Sequence, residues 1–481
     1  RRGGASHPAA LFDAKAPEWW LVVDRDAVPA PELVAALAAA LEPHSTAAYS
    51  DFRVEPSRPA QASADDGVRA DVGAWSKERS RWQDYAGAVA LIRGDALTAA
   101  LADNGAAADT VGDLLRHRAL VHAARLGQLA YVRAPLYRVA ADDVIRVPAE
   151  LRQQMIAADR AGFELPSGMP PRQLTQWPSV SIVIPTRGGT ARVGGRRRRL
   201  IDVTMRSFID TTGLLRPEFV LVVDDDVPHD YVDPWRAELG DRLRIVTTSP
   251  PFNFSAKVNL GVAAAGGEVV AILNDDMSAV TDDWLRNLVA AASEPDVGAV
   301  GALLLLESGD IQHAGHHFTA TGPYLLDVGR PPGPGPRSRN DCDRDVTGVT
   351  AACLVQRRQV WAEVGGMDEA FPVSFNDVDY CERISAAGYR VVQCNSSRLF
   401  HYESRTRKRG ATRDEIDLLV ARHGHRLGPD ALTPYEPPPP PPWREQASYR
   451  WNRLQAAWSE GGARGVVGAL RSRGDGAGPA R

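Results

Sequence analysis

Lysine is nearly missing from this sequence of 481 residues: of 56 cationic side chains only Lys15, Lys77, Lys257 and Lys408 are lysines, leaving 52 arginines. Such a bias reflects genomic base composition more readily than phosphate binding, and a net charge of −4 gives no whole-chain electrostatic case for nucleic acid. Cysteine is scarce too. Cys342, Cys353, Cys381 and Cys394 include no CxxC pair, which argues against a disulfide framework or zinc site and for a reducing compartment. No run reaches the roughly 18–20 apolar residues that cross a bilayer. The stretch Arg1-Arg2-Gly3-Gly4 lacks the apolar centre of a signal peptide, so a cytoplasmic protein is expected. The chain starts without methionine and is expected to be a piece of a longer reading frame. Also absent are a G-x-G-x-x-G after the first strand of the main domain and any Walker lysine motif, the two common phosphate-cradling loops.

What is present is ordinary globular material, 44% hydrophobic and 24% charged, long enough for about two to four domains. Turn and proline composition divides it into residues 1–145, a linker over 146–178 with a Pro-rich end, a main domain over 179–407, and a tail over 408–481 that is helical and then rich in Pro, Gly and Arg. Within 179–407, short β-branched runs apolar on both faces alternate with helical patterns. They include residues 179–184, 219–223, 243–246, 268–273 and 297–300. This pattern predicts an α/β fold, a mostly parallel sheet with helices on both faces. Asn253 should cap a helix over 255–265 that Gly266-Gly267 stops, and Thr281 should cap the next one.

Open parallel sheets bind ligands in the loops after their strands. Here those loops are acidic: Asp224-Asp225-Asp226 after one strand and Asn274-Asp275-Asp276 after another. Carboxylates repel phosphate unless a divalent cation lies between them, so Mg²⁺ or Mn²⁺ and a nucleotide diphosphate are implied, with Asp276 as metal ligand. A third cluster, Asn376-Asp377-Val378-Asp379, opens a helix. Asp377 there suits a general base, because the positive end of a helix favours a charged carboxylate, whereas Asp379 is read as a cap or a backbone contact.

In order and spacing, Ser181-Ile-Val-Ile-Pro-Thr186, Val222-Val-Asp-Asp-Asp226, Pro251-Phe-Asn-Phe-Ser255, Leu273-Asn-Asp-Asp276, Ile311-Gln-His-Ala-Gly315, Val364-Gly-Gly-Met-Asp368, Phe375-Asn-Asp-Val-Asp379 and His401-Tyr-Glu-Ser404 resemble the family 2 glycosyltransferases, inverting enzymes of the GT-A fold, especially their bacterial rhamnosyltransferase-like members. The resemblance covers 179–407. It implies donor contacts at Thr186, Arg187, Asp225, Lys257, Asn259 and Asp275, acceptor-side positions at Thr347 and Gly348, metal ligation by Asp276 and His401, and Asp377 as catalytic base. It also implies a nucleotide-diphosphate sugar as donor and a saccharide or lipid-linked acceptor, in cell-surface polysaccharide synthesis. Asn274 stands where the family has the first acid of its D-x-D.

Gln312-His-Ala-Gly-His-His317 invites a metal reading, but adjacent strand residues point to opposite faces, so at most two of the three histidines converge. Arg196 to Arg199 reads as a solvated basic face, or as a contact with donor phosphate or the inner face of an anionic membrane.

The front of the chain repeats part of the main domain. Trp19 to Asp26 parallels the run after Val269, Gly87 to Asp95 parallels Gly348 to Arg358, Val111 stands at the base position and Arg138 at that of His401. Residues 1–145 therefore read as a truncated, degenerate GT-A-like domain without its nucleoside half. Asp24 and Asp26 are either a remnant metal acid or helix caps. Two alternatives to sugar transfer remain: a sugar-1-phosphate nucleotidyltransferase and a non-catalytic carbohydrate-binding scaffold.

Overall fold

Strand Val180–Thr186 is buried along its whole length and forms the centre of the main sheet, as its β-branched, two-faced apolar pattern requires. The sheet order is Leu243–Thr248, Glu218–Asp224, Val180–Thr186, Val269–Leu273, Cys353–Arg357, Val297–Leu305, Arg390–His401 and Met277–Ala279. The first four strands run parallel. Beyond them Cys353–Arg357 is antiparallel to both neighbours, and Val297–Leu305 pairs parallel with Arg390–His401. The predicted parallel order thus describes the first four strands of the sheet, and the other half is mixed. Helices cover both faces with separate cores. One gathers Phe208, Phe219, Trp235 and Trp284; the other gathers Val183, Val258, Leu354, Tyr380 and Ile384.

The computed structural model describes residues 18–23, 27–54, 68–70, 72, 74–80, 83–102, 111–139, 145–146, 174, 176–249, 251–319, 322–333, 339–402, 411–426, 430 and 432. Asp24, Asp26, nearly all of the linker, and the tail from residue 433 onward lie outside them.

Helix Phe254–Ala264 forms as the sequence suggests, with the Asn253 carboxamide accepting the Ala256 N–H at 3.0 Å. It crosses the sheet closely at Gly261, where a Cβ would stand 2.3 Å from Val183 Cγ1. Gly261→Ala is expected to lower stability by about 1–3 kcal/mol, read as a fall in Tm, because the strand beneath is central and cannot move aside. The second cap is different. Helix Trp284–Ala292 starts after Asp283, and the Thr281 hydroxyl instead accepts the Arg398 N–H of strand Arg390–His401 at 3.1 Å.

The N-terminal region folds into its own sheet, ordered Trp19–Val23, Val89–Arg93, Ser45–Val54, Gln128–Val139, Val28–Pro29. Its pairings are antiparallel, antiparallel, parallel and antiparallel in that order. The run from Val269–Leu273 to Met277–Ala279 in the main sheet has the same sequence of directions. Even the register agrees: Val28 faces Arg138 as Met277 faces His401. The strand directions of the run from Val269–Leu273 to Met277–Ala279 are therefore repeated in the front sheet, and the three other parallel strands, Leu243–Thr248, Glu218–Asp224 and Val180–Thr186, have no counterpart among the described residues.

Both sheets belong to one compact unit, residues 1–434. A polar seam joins them. The Asp345 carboxylate accepts the Ser76 hydroxyl and the Glu78 N–H, and Lys77 Nζ lies 2.9 Å from Asp296. Arg390 binds Asp296, Asp345 and Glu294 together. Burial opposes the charge on Asp296, but the hydrogen bond and charge of Arg390, helped by Lys77, outweigh it and bring its pKa down to about 2. A carboxyl whose pKa falls on folding adds stability that is present above its unfolded value and lost as pH drops toward the folded one. The seam should loosen between about pH 4 and pH 2, which hydrogen exchange at residues 74–80 would report. Arg390→Leu should give the same loosening at pH 7.

Candidate active site

Two acidic loops leave parallel strands of the main sheet at one end, and a third acidic segment opens helix Asn376–Ala386. The strand ends Thr186 and Asp224 are tied together by Lys257, whose buried ammonium donates to the Thr186 carbonyl at 2.8 Å and to Asp224 Oδ1 at 2.7 Å. Burial pulls the Lys257 pKa down, although Asp224 opposes this. The Thr186 hydroxyl donates to Asp275 Oδ2 at 2.5 Å. Arg187 lies over the Phe252 ring, its guanidinium exposed and 3.6 Å from Asp224. Asp225 is exposed and accepts the Ser249 hydroxyl at 2.6 Å, leaving its second oxygen toward solvent. Thr186, Arg187, Lys257 and Asp275 therefore form one hydrogen-bonded and ionic cluster with Asp225 at its edge. Asn259 is engaged elsewhere: its amide donates to the Met367 carbonyl and Glu369, and its oxygen accepts the Met367 N–H.

Next to this cluster lies Asp276, 7% exposed. Its neighbour Asp275 is pushed up to about 7, by burial and then by the charge of Asp276, against the hydrogen bond from Thr186. Two adjacent carboxylates here resist ionising together. Asp276 Oδ1 has no hydrogen-bond partner and lies 3.1 Å from His401 Nε2. Gln312 sets the tautomer of that histidine. Its Oε1 can only accept, so His401 Nδ1 must donate to it at 2.7 Å. In the neutral ring Nε2 is then an acceptor, receiving the Asn274 amide at 3.1 Å. Two acceptor atoms, Asp276 Oδ1 and His401 Nε2, thus face one another without a proton between them. That donor set fits a divalent cation. Among the described residues no group of three or more His, Cys, Asp and Glu side chains converges, so the protein would supply only part of a coordination shell.

His401 also lines a cavity of about 290 Å³ that contains Asp377. The turn that leads into Asp377 is strained into place. Phe375 adopts φ +61° immediately before helix Asn376–Ala386, a conformation that costs a non-glycine residue about 1 kcal/mol or more. Asp377 is half-buried; its carboxylate accepts the Val378 N–H at 2.9 Å and the Ala351 N–H at 3.2 Å. His401 therefore lies against Asp276 and lines the same cavity as Asp377.

Asp379 does not cap the helix. It is buried and paired with Arg383, Arg422 and His423, which holds helix Arg413–His423 against helix Asn376–Ala386. The Thr347 hydroxyl is bonded to Asp430. Gly348 makes room for His316, since a Cβ there would stand 2.1 Å from the imidazole. Of the three clustered histidines, His313 and His316 line the cavity, whereas the His317 ring lies beside Tyr324. Burial draws the His313 pKa well down and lowers that of His316, the latter against the charge of Asp377.

Sequence reasoning missed two functional positions, Asn274 and Gln312, which orient His401. Both lie within motifs already noted, but their contacts join residues 127 and 89 positions apart.

Residues 181–365 match the family model Glycosyl transferase family 2, spanning Thr186, the acidic strand ends and Gln312. This stretch is a family 2 glycosyltransferase domain. The layered sheet described above is what the GT-A expectation called for, and the match favours sugar transfer over the nucleotidyltransferase and scaffold alternatives. The glycosyltransferase domain has relatives among curated proteins. An uncharacterised protein, y4gI, of Sinorhizobium fredii is 35% identical over 260 residues, 51% of this chain and 27% of that one. The O-antigen biosynthesis protein RfbC of Myxococcus xanthus is 34% identical over 265 residues, 54% of this chain and 20% of that one. The N-acetylglucosaminyl-diphospho-decaprenol L-rhamnosyltransferase of Mycobacterium tuberculosis is 24% identical over 240 residues, 43% of this chain and 73% of that one. The chain thus spans about a quarter or less of the length of the first two. No described helix is long and apolar enough to cross a membrane.

Proposed function

We propose that the chain is an inverting glycosyltransferase that moves a sugar from a nucleotide-diphosphate donor to a hydroxyl of a saccharide or lipid-linked acceptor, in the synthesis of a cell-surface polysaccharide. One observation carries this reading: His401 joins the carboxylate fitted for a cation, Asp276, to the cavity that holds a second carboxylate, Asp377. Asp225 and Thr186 frame the nucleoside side, while Asp276 and His401 would hold Mg²⁺ or Mn²⁺. Such an ion supplies charge neutralisation for the departing diphosphate, worth several kcal/mol. Asp377 takes the proton of the acceptor hydroxyl. That oxygen then attacks the anomeric carbon from the face opposite the leaving group, which inverts the centre. The RfbC and rhamnosyltransferase relatives support a polysaccharide setting and a lipid-linked acceptor.

The N-terminal half-sheet is assigned a supporting role. It lacks the parallel strands that frame a nucleoside, and its Arg138 occupies the register of His401, so a cation site is not expected there. Hairpin Thr190–Val193 with Arg196–Arg199 presents Arg196, Arg197 and Arg198 to solvent, which supports peripheral contact with an anionic membrane. Flotation with anionic but not neutral vesicles, lost in an Arg196→Glu/Arg198→Glu double variant, checks that contact.

Incubating the chain with a panel of nucleotide sugars and Mn²⁺ or Mg²⁺, and measuring release of nucleoside diphosphate, tests the main reading. Chelator-insensitive release, or release unchanged by Asp276→Asn, would falsify it.

A further inference from the structure

Three buried polar atoms near Asp377 have no hydrogen-bond partner among the described residues: His313 Nε2, His316 Nε2 and Asn376 Nδ2. All three residues line the same cavity as Asp377. Orphaned buried donors cost about 1–3 kcal/mol each and are kept where a ligand completes them. The donor roles follow from their other contacts. His313 Nδ1 accepts the Gly315 N–H at 3.3 Å, so in the neutral ring the proton is on Nε2. Asn376 Oδ1 accepts the Asp377 N–H at 2.8 Å, so its amide hydrogens are the part that remains. His316 differs. Its Nε2 lies where a Cβ on Gly348 would stand, which directs it at the backbone, and its ring meets that of His313 nearly edge-on, with centroids 6.4 Å apart. It buttresses His313.

The remaining walls narrow the ligand. Pro323, Leu325 and Phe375 give the cavity an apolar side, and among the described lining residues none is Lys or Arg. An anionic ligand would find no countercharge. A ligand with hydroxyls on its rim and an apolar C–H face would be matched. At about 290 Å³ the cavity stands at the small end of ligand sites, roughly 300 Å³ and upward, which suits one sugar ring.

We propose that this cavity is a subsite for a single uncharged sugar ring, with His313 Nε2 and Asn376 Nδ2 donating hydrogen bonds to its hydroxyls and presenting one further hydroxyl to Asp377. The inference rests on the sugar-transfer reading and specifies its acceptor end: the acceptor's terminal ring is neutral, and His313 with Asn376 chooses which hydroxyl reacts.

The test is saturation-transfer NMR on the full chain, with and without UDP and Mg²⁺. The probes are the methyl glycosides of rhamnose, mannose, galactose and N-acetylglucosamine, with methyl glucuronide as the anionic control. At least one neutral glycoside should bind. His313→Leu and Asn376→Asp should each weaken it by about tenfold, the loss of one hydrogen bond. His313→Gln, whose amide nitrogen can reach the place of Nε2, should restore binding, which a merely structural role would not do. The proposal is overturned if no neutral glycoside binds, if glucuronide binds more tightly, or if natively folded His313→Leu binds like the parent. Binding without any nucleotide-sugar turnover would keep the subsite and reject sugar transfer. Metal-dependent donor hydrolysis without glycoside binding would reject the subsite alone.

Discussion

Asp377→Asn should reduce sugar transfer by roughly 10²–10⁴-fold, the usual contribution of a positioned general base, with donor affinity unchanged. The substitution preserves shape and removes the proton acceptor. The Asp377 carboxylate is held by two backbone amides, Val378 N–H and Ala351 N–H. An asparagine can still accept one of them but must turn its NH₂ toward the other, so a stability loss of about 1 kcal/mol should accompany the rate effect. Initial rates against a matched donor and acceptor, with nucleotide affinity by calorimetry, separate the two. A variant that transfers sugar at the parental rate would remove Asp377 from the mechanism.

The second large effect is expected at Asp276. With Asp276→Asn, metal-dependent turnover should fall by about 10²-fold or more, since several kcal/mol of charge stabilisation are lost and each 1.4 kcal/mol is tenfold. Stability should move the other way in the metal-free protein. Asp275 is held up at about 7 by burial and by Asp276, so ionising it works against the fold. The sign follows from linkage: a carboxyl whose pKa rises on folding carries no penalty below its unfolded value, near pH 4, and a growing one as pH climbs to about 7. Removing the Asp276 charge relieves the part of that penalty its charge causes, while the larger part, from burial, remains. Metal-free Asp276→Asn should therefore melt above the parent at pH 7, with the gap closing toward pH 4. Mn²⁺ should raise the Tm of the parent and leave the variant unmoved. Equal shifts by Mn²⁺ in both proteins would place the cation elsewhere.

Local chemistry explains which parts of the fold were readable in advance. Short β-branched runs became the strands of the main sheet because burial on both faces leaves them little alternative. The helix after Asn253 appeared within one residue of its expected bounds, since its cap and its glycine stop are neighbours in the chain. The front sheet repeats strand directions of the main sheet, with Arg138 in the register of His401. Thr281 was misread because a threonine before a helix can cap it or reach away, and only the position of Arg398, 117 residues later, decides.

The acidic loops show the same division. Amino-acid order alone placed carboxylates in three separate segments, from which a cation and a diphosphate were expected as ligands. It preferred Asp377 to Asp379, two residues apart on one helix, but read Asp379 as a cap or a backbone contact. Packing gave Asp379 its role: helix Arg413–His423 brings Arg422 and His423 onto Asp379, which becomes a buried ion-pair centre, while Asp377 stays open to the cavity. Likewise Gln312 and Asn274 acquire their role only when the last strand brings His401 between them. Backbone propensity and burial act over a few residues and can be read from composition. The choice of partner for a polar side chain depends on which distant strand or helix arrives beside it, and that is a property of the folded chain alone.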